Sequence, residues 1–241
     1  GFVQRDDMIG TGIIAGFTPR VGDGDELIRQ WKFSIYARDV RNHSGVKETG
    51  VLSGGVEAHL ESKDRIGIKV IQNIERLADS FYLKNGIKIP NGEYDDKKFE
   101  FSVQSNQSRG FWTDVRFTQG DYFGGGQKSL VSSIGKLFSN HFTLYGSMNH
   151  NIIDMPKEGE FTADIYAVTA EMAINRKWFG KALIQYDNFS EQLQIYWRIN
   201  WIHTPGSDLF IVLNQRYDLS GEVNDLMQQA QVLKLTYLFQ I

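Results

Sequence analysis

Apolar and polar residues alternate along most of this chain, with a period of two. The clearest case is Gln192 to Trp201. There Leu193, Ile195, Trp197, Ile199 and Trp201 form one set, and Gln192, Gln194, Tyr196, Arg198 and Asn200 the other. A strand turns successive side chains to opposite faces, so such a segment has one greasy face and one wet face. The pattern recurs. Ile9, Ile13, Ala15 and Phe17 stand against glycines; Trp31, Phe33, Ile35 and Ala37 against Lys32, Ser34, Tyr36 and Arg38. Leu52, Val56 and Ala58 alternate with Ser53, Glu57 and His59, and Ile66, Ile68, Val70 and Ile74 with Lys69, Asn73 and Glu75. Further on, Phe99, Phe101 and Val103 alternate with Glu100 and Ser102, and Phe111, Val115 and Phe117 with Asp114 and Arg116. Phe142 and Leu144, Val168 and Met172 (against Glu171), Trp178 and Ile184 (against Lys181), and Leu209 and Ile211 (ahead of Arg216) continue it. The closing stretch from Gln231 sets Leu233, Leu235, Tyr237, Phe239 and Ile241 against Lys234, Thr236 and Gln240. The reading is about thirteen strand-like segments with almost no helical periodicity.

Turn-forming residues punctuate these segments. Turns near Gly22, Lys63, Ser108, Ser139, Arg176 and Thr204 read as mostly short. The alternate connections, near Ser44, Gly86, Gly125, Asp154, Asn188 and Gly221, read as mostly longer, and Phe81 to Asp96 is the longest. Aromatic residues gather at both ends of the segments. Trp31, Phe111, Trp112, Phe138, Phe142, Trp178, Trp201, Phe210 and Phe239 lie beside the short turns. Phe81, Tyr82, Tyr122, Phe123, Phe161, Tyr186, Phe189 and Tyr217 lie near the longer loops. Two such bands suit the two interfaces of a bilayer.

These features predict an all-β fold: an antiparallel up-and-down transmembrane β-barrel with about 13–14 visible strands, in a single domain over residues 1–241. A soluble β-sandwich binding module is the alternative. A barrel this wide cannot fill its interior with side chains, so its apolar face is expected to point outward. On a water-exposed surface the same face would form an apolar patch far beyond the few hundred Å² usually tolerated. Thirteen is an odd number, and single-chain bacterial barrels are nearly always even-stranded. Either a further strand lies within Phe81 to Asp96 or strands lie upstream of Gly1; the second is preferred, and the expectation is a larger barrel. The mean hydropathy of −0.34 does not conflict, because alternation keeps the average low.

Composition narrows the functions. The chain has 241 residues, no Cys and a net charge of −3. That excludes a disulfide framework and a Cys-based metal site, and it predicts no nucleic-acid partner. The five histidines lack metal-ligand spacing, and no cofactor is expected. Gly124 to Gly126 lacks the Lys-Ser/Thr pair of a phosphate loop. Asp121, Asp154 and Glu160 are calcium candidates on loops, and His150, Asp154, Asp187 and Ser190 are candidates for a hydrolase site at the extracellular rim. The non-catalytic reading is preferred. The inward face is expected to carry Lys32, Arg38, Glu57, Lys69, Glu75, Asp114, Arg116, Glu171, Lys181, Arg198, Arg216 and Lys234, together with His59, Glu100 and Asp187. Its mixed signs imply a weakly selective channel, an ion-paired interior or a plugged lumen. Lipid-facing or girdle positions are Trp31, Phe111, Phe142, Trp178, Trp197, Trp201, Leu233, Leu235, Tyr237 and Phe239.

Trp201-Ile-His-Thr-Pro-Gly-Ser-Asp-Leu-Phe-Ile-Val-Leu-Asn214 resembles a characteristic hairpin of a large uncharacterised family of Bacteroidota. Ala182 to Asp187, the opening Gly1 to Asp7 and the closing Lys234 to Phe239 fit the same family. Its members carry an N-terminal domain like carbohydrate-binding modules of family nine, followed by a β-rich membrane domain. The resemblance implies that this chain is the C-terminal part of that second domain, and it supplies no catalytic motif. The expected role is an outer-membrane protein of a Gram-negative bacterium, a pore or the membrane anchor of an envelope assembly. The expected partners are the lipid bilayer and lipopolysaccharide, the barrel-assembly machinery and other outer-membrane or periplasmic proteins.

Overall fold

A computed structural model describes residues 8–21, 26–83, 86–157, 159–221 and 225–239. The opening Gly1 to Asp7, the turn at Gly22, and Gln240 and Ile241 lie outside the described residues. Among those described, every regular element is a strand. They are β1 (Ile9–Phe17), β2 (Ile28–Arg41), β3 (Lys47–Leu60), β4 (Arg65–Leu77), β5 (Phe81–Tyr82), β6 (Lys88–Ile89), β7 (Gly92–Gln104) and β8 (Phe111–Tyr122). Then come β9 (Gly125–Ser139), β10 (Phe142–Met155), β11 (Gly159–Ala173), β12 (Trp178–Asp187), β13 (Gln192–Thr204), β14 (Ser207–Asp218) and β15 (Asp225–Thr236).

Thirteen strands form one sheet in sequence order, while β5 and β6 pair only with each other. The pairings along β1 to β4 and β7, and along β11 to β15, are antiparallel, for example Val56 with Ile68, and Ile184 with Ile195. The meander and its strand number agree with the alternation. Among the described residues the sheet is not closed into a barrel: β1 and β15 end the strand order, each with a single neighbour. The chain divides into two compact units. One comprises residues 1–106, 115–130 and 151–162; the other comprises 107–114, 131–150 and 163–241.

In the first unit a cluster of buried apolar residues gathers where the longest connection meets the strands. Ile87, Ile89, Ile153 and Met155 form it, with Leu77, Phe81, Leu83, Tyr94, Tyr122, Phe123 and Phe161 packed around. The longest connection is thus no plain loop. It folds as the β5–β6 hairpin, closed by the Leu83 amide donating to the Ile87 carbonyl at 2.8 Å. Ile89 is fully buried (0% exposed). Shortening it, Ile89→Val, is expected to cost about 1 kcal/mol. Because the hairpin is a small unit, the loss should appear as faster amide exchange at Leu83 with little change at β3 amides.

Connections are tighter than the composition suggests. The turn at Gly124 holds two residues, Phe123 and Gly124, both with positive φ (44° and 83°). Two successive left-handed residues match the twist of a hairpin, the pattern of a type I′ turn. β9 therefore begins at Gly125, where a longer loop is predicted. Likewise β10 runs to Met155 and β11 starts at Gly159. The strands absorb much of the predicted contrast between short and long connections, and residues 78–91 remain an extended link at that end.

In the second unit the Thr204-Pro205-Gly206-Ser207 turn forms as expected. Gly206 takes φ 85°, the left-handed value that glycine adopts without strain. β15 stops at Thr236, earlier than predicted. The chain then leaves the ladder, and the Leu238 amide donates to Ser207 Oγ at 3.0 Å.

Candidate functional site

The two faces of the sheet differ in chemistry, and the register shows it. Directly opposed residues share a face. In the first unit Lys32 opposes Glu57, Lys69 opposes Glu100, and Arg38 opposes Val51. In the second, Glu171 opposes Lys181, which opposes Arg198; Gln194 opposes Arg216, and Phe210 opposes Lys234. The predicted inward residues therefore share one face across β2, β3, β4 and β7, and likewise across β11 to β15. Glu75 joins it, accepting from Thr49 Oγ1 at 2.9 Å. Arg116 joins it through Glu100, with Nε to Oε1 at 3.8 Å. Asp114 lies on β8, half-buried.

Ion pairs neutralise part of this belt. Lys181 Nζ donates to Glu171 Oε1 at 2.9 Å. Away from the belt, Asp39 sits between Arg41, at 2.5 Å, and Lys47, at 3.4 Å, in the alternation of Ile35 and Ala37. His59 pairs with Glu57 and meets Gln30 Nε2 at 3.1 Å through its other nitrogen. Lys98, which the sequence pattern passed over, donates to Gln127 Oε1 at 2.8 Å and lies 5.4 Å from the Tyr122 ring centre. Exposed pairs of this kind each contribute under about 1 kcal/mol, so they set the polarity of the face more than its stability.

The other face is apolar and open. Ile13, Ile35, Val70, Val168, Ile184, Leu233 and Leu235 are all exposed, Val70 at 60% and Leu235 at 72%. Trp178 stacks on Trp201 with ring centres 5.5 Å apart, and Phe138 meets Phe142 at 5.7 Å. Trp31, Trp197, Leu233 and Leu235 hold apolar-face register positions opposite Ala58, Ala182, Ile211 and Leu209. Phe111 is exposed on β8.

Some aromatic placements differ from the prediction. Phe210 sits on the polar face, opposite Asn200 and Lys234. Phe81, Tyr122, Phe123 and Phe161 pack around the cluster of Ile87, Ile89, Ile153 and Met155. Tyr237 and Phe239 lie beyond the end of β15, with rings 4.6 Å apart, so strand alternation does not assign them a face.

The hydrolase candidates separate. Ser190 Oγ donates to Asp187 Oδ2 at 2.6 Å, and Asp187 Oδ1 accepts the amides of Phe189 and Ser190. These bonds describe a turn-capping aspartate. His150 Nδ1 instead meets Asp164 Oδ1 at 2.7 Å. Asp164 also accepts from the Tyr166 hydroxyl at 3.1 Å, while its amide donates to Asn188 Oδ1 at 2.6 Å. Asp187 opposes Ile165, whereas Asp164 shares alternation with Tyr166, so the two carboxylates fall on opposite faces. Sequence spacing could not reveal the Asp164 partner, which depends on register across strands. Of the calcium candidates, Asp121 accepts the Lys97 amide at 3.0 Å. Among the described residues no three acidic or His groups are placed to hold a metal ion.

A cavity of about 430 Å³ opens on the polar face between β10 and β13. His141, Glu171, Lys181, Tyr196, Arg198 and Asn200 line it. His141 Nδ1 lies 2.6 Å from the Ala173 carbonyl, which makes that nitrogen the donor. No protein-family profile, curated protein or solved structure matches the chain.

Proposed function

We propose that this chain forms part of the wall of an outer-membrane β-barrel. Its apolar face meets lipid, its charged face lines an aqueous lumen, and it works as a pore without catalysis. The observation that carries the reading is the inverted sheet. Ile, Val, Leu and Trp stand exposed on one face of a thirteen-stranded antiparallel meander, while the other face holds the ion pairs Glu171–Lys181 and Glu100–Arg116. In water such a face is a large unpaid hydrophobic cost; in hydrocarbon it is the required surface. The Trp178–Trp201 stack supports an interfacial band at the short-turn end.

Closure of the sheet belongs to the same proposal. Strand edges cannot stay unpaired in hydrocarbon. Therefore β1 and β15 are joined in the membrane, directly or through further strands. The family resemblance of the Trp201–Asn214 hairpin is part of this reading, as are lipopolysaccharide and the assembly machinery as partners.

One observation favours a membrane anchor over an open pore. Tyr94 and Asp96 hold polar-face positions opposite Glu75 and Asn73. Tyr94 packs on the Ile89 cluster and Asp96 accepts the Phe123 amide at 3.1 Å, so the β5–β6 hairpin reaches the polar face. A lumen obstructed there would hold the membrane without conducting.

Two measurements test these readings. Folded protein in detergent should migrate faster on a gel before boiling than after; indifference to heating together with solubility free of detergent would reject the membrane assignment. In planar bilayers the pore reading expects discrete, weakly selective current steps, whereas folded protein giving only baseline current would leave the anchor.

A further inference from the structure

The cavity between β10 and β13 is more than a gap in the polar face. Asn200 is 4% exposed, and its Oδ1 accepts from Arg198 Nε at 2.5 Å. A buried carboxamide also carries two N–H donors that need acceptors. Among the described residues neither donor has an acceptor within hydrogen-bond distance, and Asn200 lines the cavity. Arg198 is held from two sides. Its Nε is committed to Asn200, and its guanidinium carbon lies 5.4 Å from the Phe210 ring centre. That geometry leaves the terminal nitrogens of the guanidinium as an oriented fork.

Charges around the fork leave it uncompensated. Lys181, the other cation of the lining, is paired with Glu171 at 2.9 Å. Among the described residues no carboxylate lies at ion-pair distance from Arg198. Tyr196 and Phe179 add aromatic surface to the same lining. A volume of about 430 Å³ is within the range of small-molecule sites.

We infer that this cavity binds a small organic monocarboxylate with a ring-sized apolar body. Arg198 takes the carboxylate in a two-point contact, Asn200 Nδ2 donates to one of its oxygens, and Phe179 and Tyr196 flank the ring. A planar carboxylate matches the guanidinium fork, and one negative charge matches the one unpaired cation. The site lies on the polar face whatever medium covers the other face, so it does not rest on the membrane reading.

Benzoate is the probe, with neutral benzamide as its isostere. The full chain, folded in detergent micelles, is titrated with each by ligand-observed NMR. Benzoate should bind at least about tenfold tighter than benzamide, since a charge-assisted contact of this kind is worth about 1.5–3 kcal/mol. Arg198→Gln should erase that preference. Asn200→Asp, which keeps the side-chain shape but supplies an internal partner for Arg198, should also weaken benzoate at least about tenfold. Arg216→Gln, on the same face but outside the cavity lining, should leave it unchanged. Circular dichroism confirms that each variant keeps its strand content. Equal binding of benzoate and benzamide, or undiminished benzoate binding by folded Arg198→Gln or Asn200→Asp, would overturn the assignment.

Discussion

Ile184→Arg is expected to destabilise the chain in lipid vesicles by about 2–4 kcal/mol, the cost of a guanidinium near the middle of a lipid-facing strand. Ile184 is 51% exposed and lies within β12, between Val168 and Ile195 on the neighbouring strands. For an exposed residue in water such a change is worth no more than about 0.5 kcal/mol. The difference between those figures makes this substitution informative about the surrounding medium. Gln185→Arg is the paired control. It sits one residue along, opposite Gln194 on the polar face, and should cost no more than about 0.5 kcal/mol in vesicles. Urea unfolding of both variants in vesicles gives the comparison. Equal, small effects would mean that the apolar face meets something other than hydrocarbon.

Gly120→Ala is expected to cost about 3 kcal/mol, at the upper end of overpacking effects. A Cβ built on Gly120 would lie 2.1 Å from the Lys97 carbonyl oxygen and 2.6 Å from the Lys98 Cα. Both are backbone atoms of β7, so no rotamer change relieves the clash. The same substitution at Gly54 meets nothing within 4 Å and should be neutral within about 0.5 kcal/mol. Denaturant midpoints of the two variants, measured side by side, test whether the approach of β7 to Gly120 is as close as described. A Gly120→Ala midpoint equal to the parent's would refute it.

Period-two alternation carried most of the fold, because it depends only on which face each residue serves. β1 appears at Ile9–Phe17 as the sequence pattern reads it, and the Gln192–Trp201 alternation survives intact within β13. Strand ends were less legible. A strand can continue through polar residues once its neighbour supplies hydrogen bonds. Thus β7 starts at Gly92, well before the alternation of Phe99 and Phe101 begins. In the sequence the three glycines at 124–126 suggest a permissive loop, while the tight turn depends on positive φ at a phenylalanine, Phe123. Among the candidate sites, the face of each charged residue was legible and its partner was not. Arg198 belonged to the polar set by alternation alone. Its engagement with Asn200 and Phe210 depends on cross-strand register, which a single sequence does not encode locally. Phe210 shows the limit of the hydrophobic pattern: an aromatic on the wet face is stable there because two cations, Arg198 and Lys234, approach its ring.

The consecutive strand order also bears on how the chain finds its structure. Each sheet strand pairs with the next sheet strand in sequence, so every ladder closes a short loop and contact order stays low. Two-residue turns at Phe123–Gly124 and Pro205–Gly206 join their strands with minimal closure entropy. Folding can therefore zip outward from β8–β9 and β13–β14. The join between β4 and β7 has the widest separation, because residues 78–91 intervene. That joint should be the last hairpin to register, and pulse-labelled amide exchange would find β4 and β7 protected after the tight hairpins.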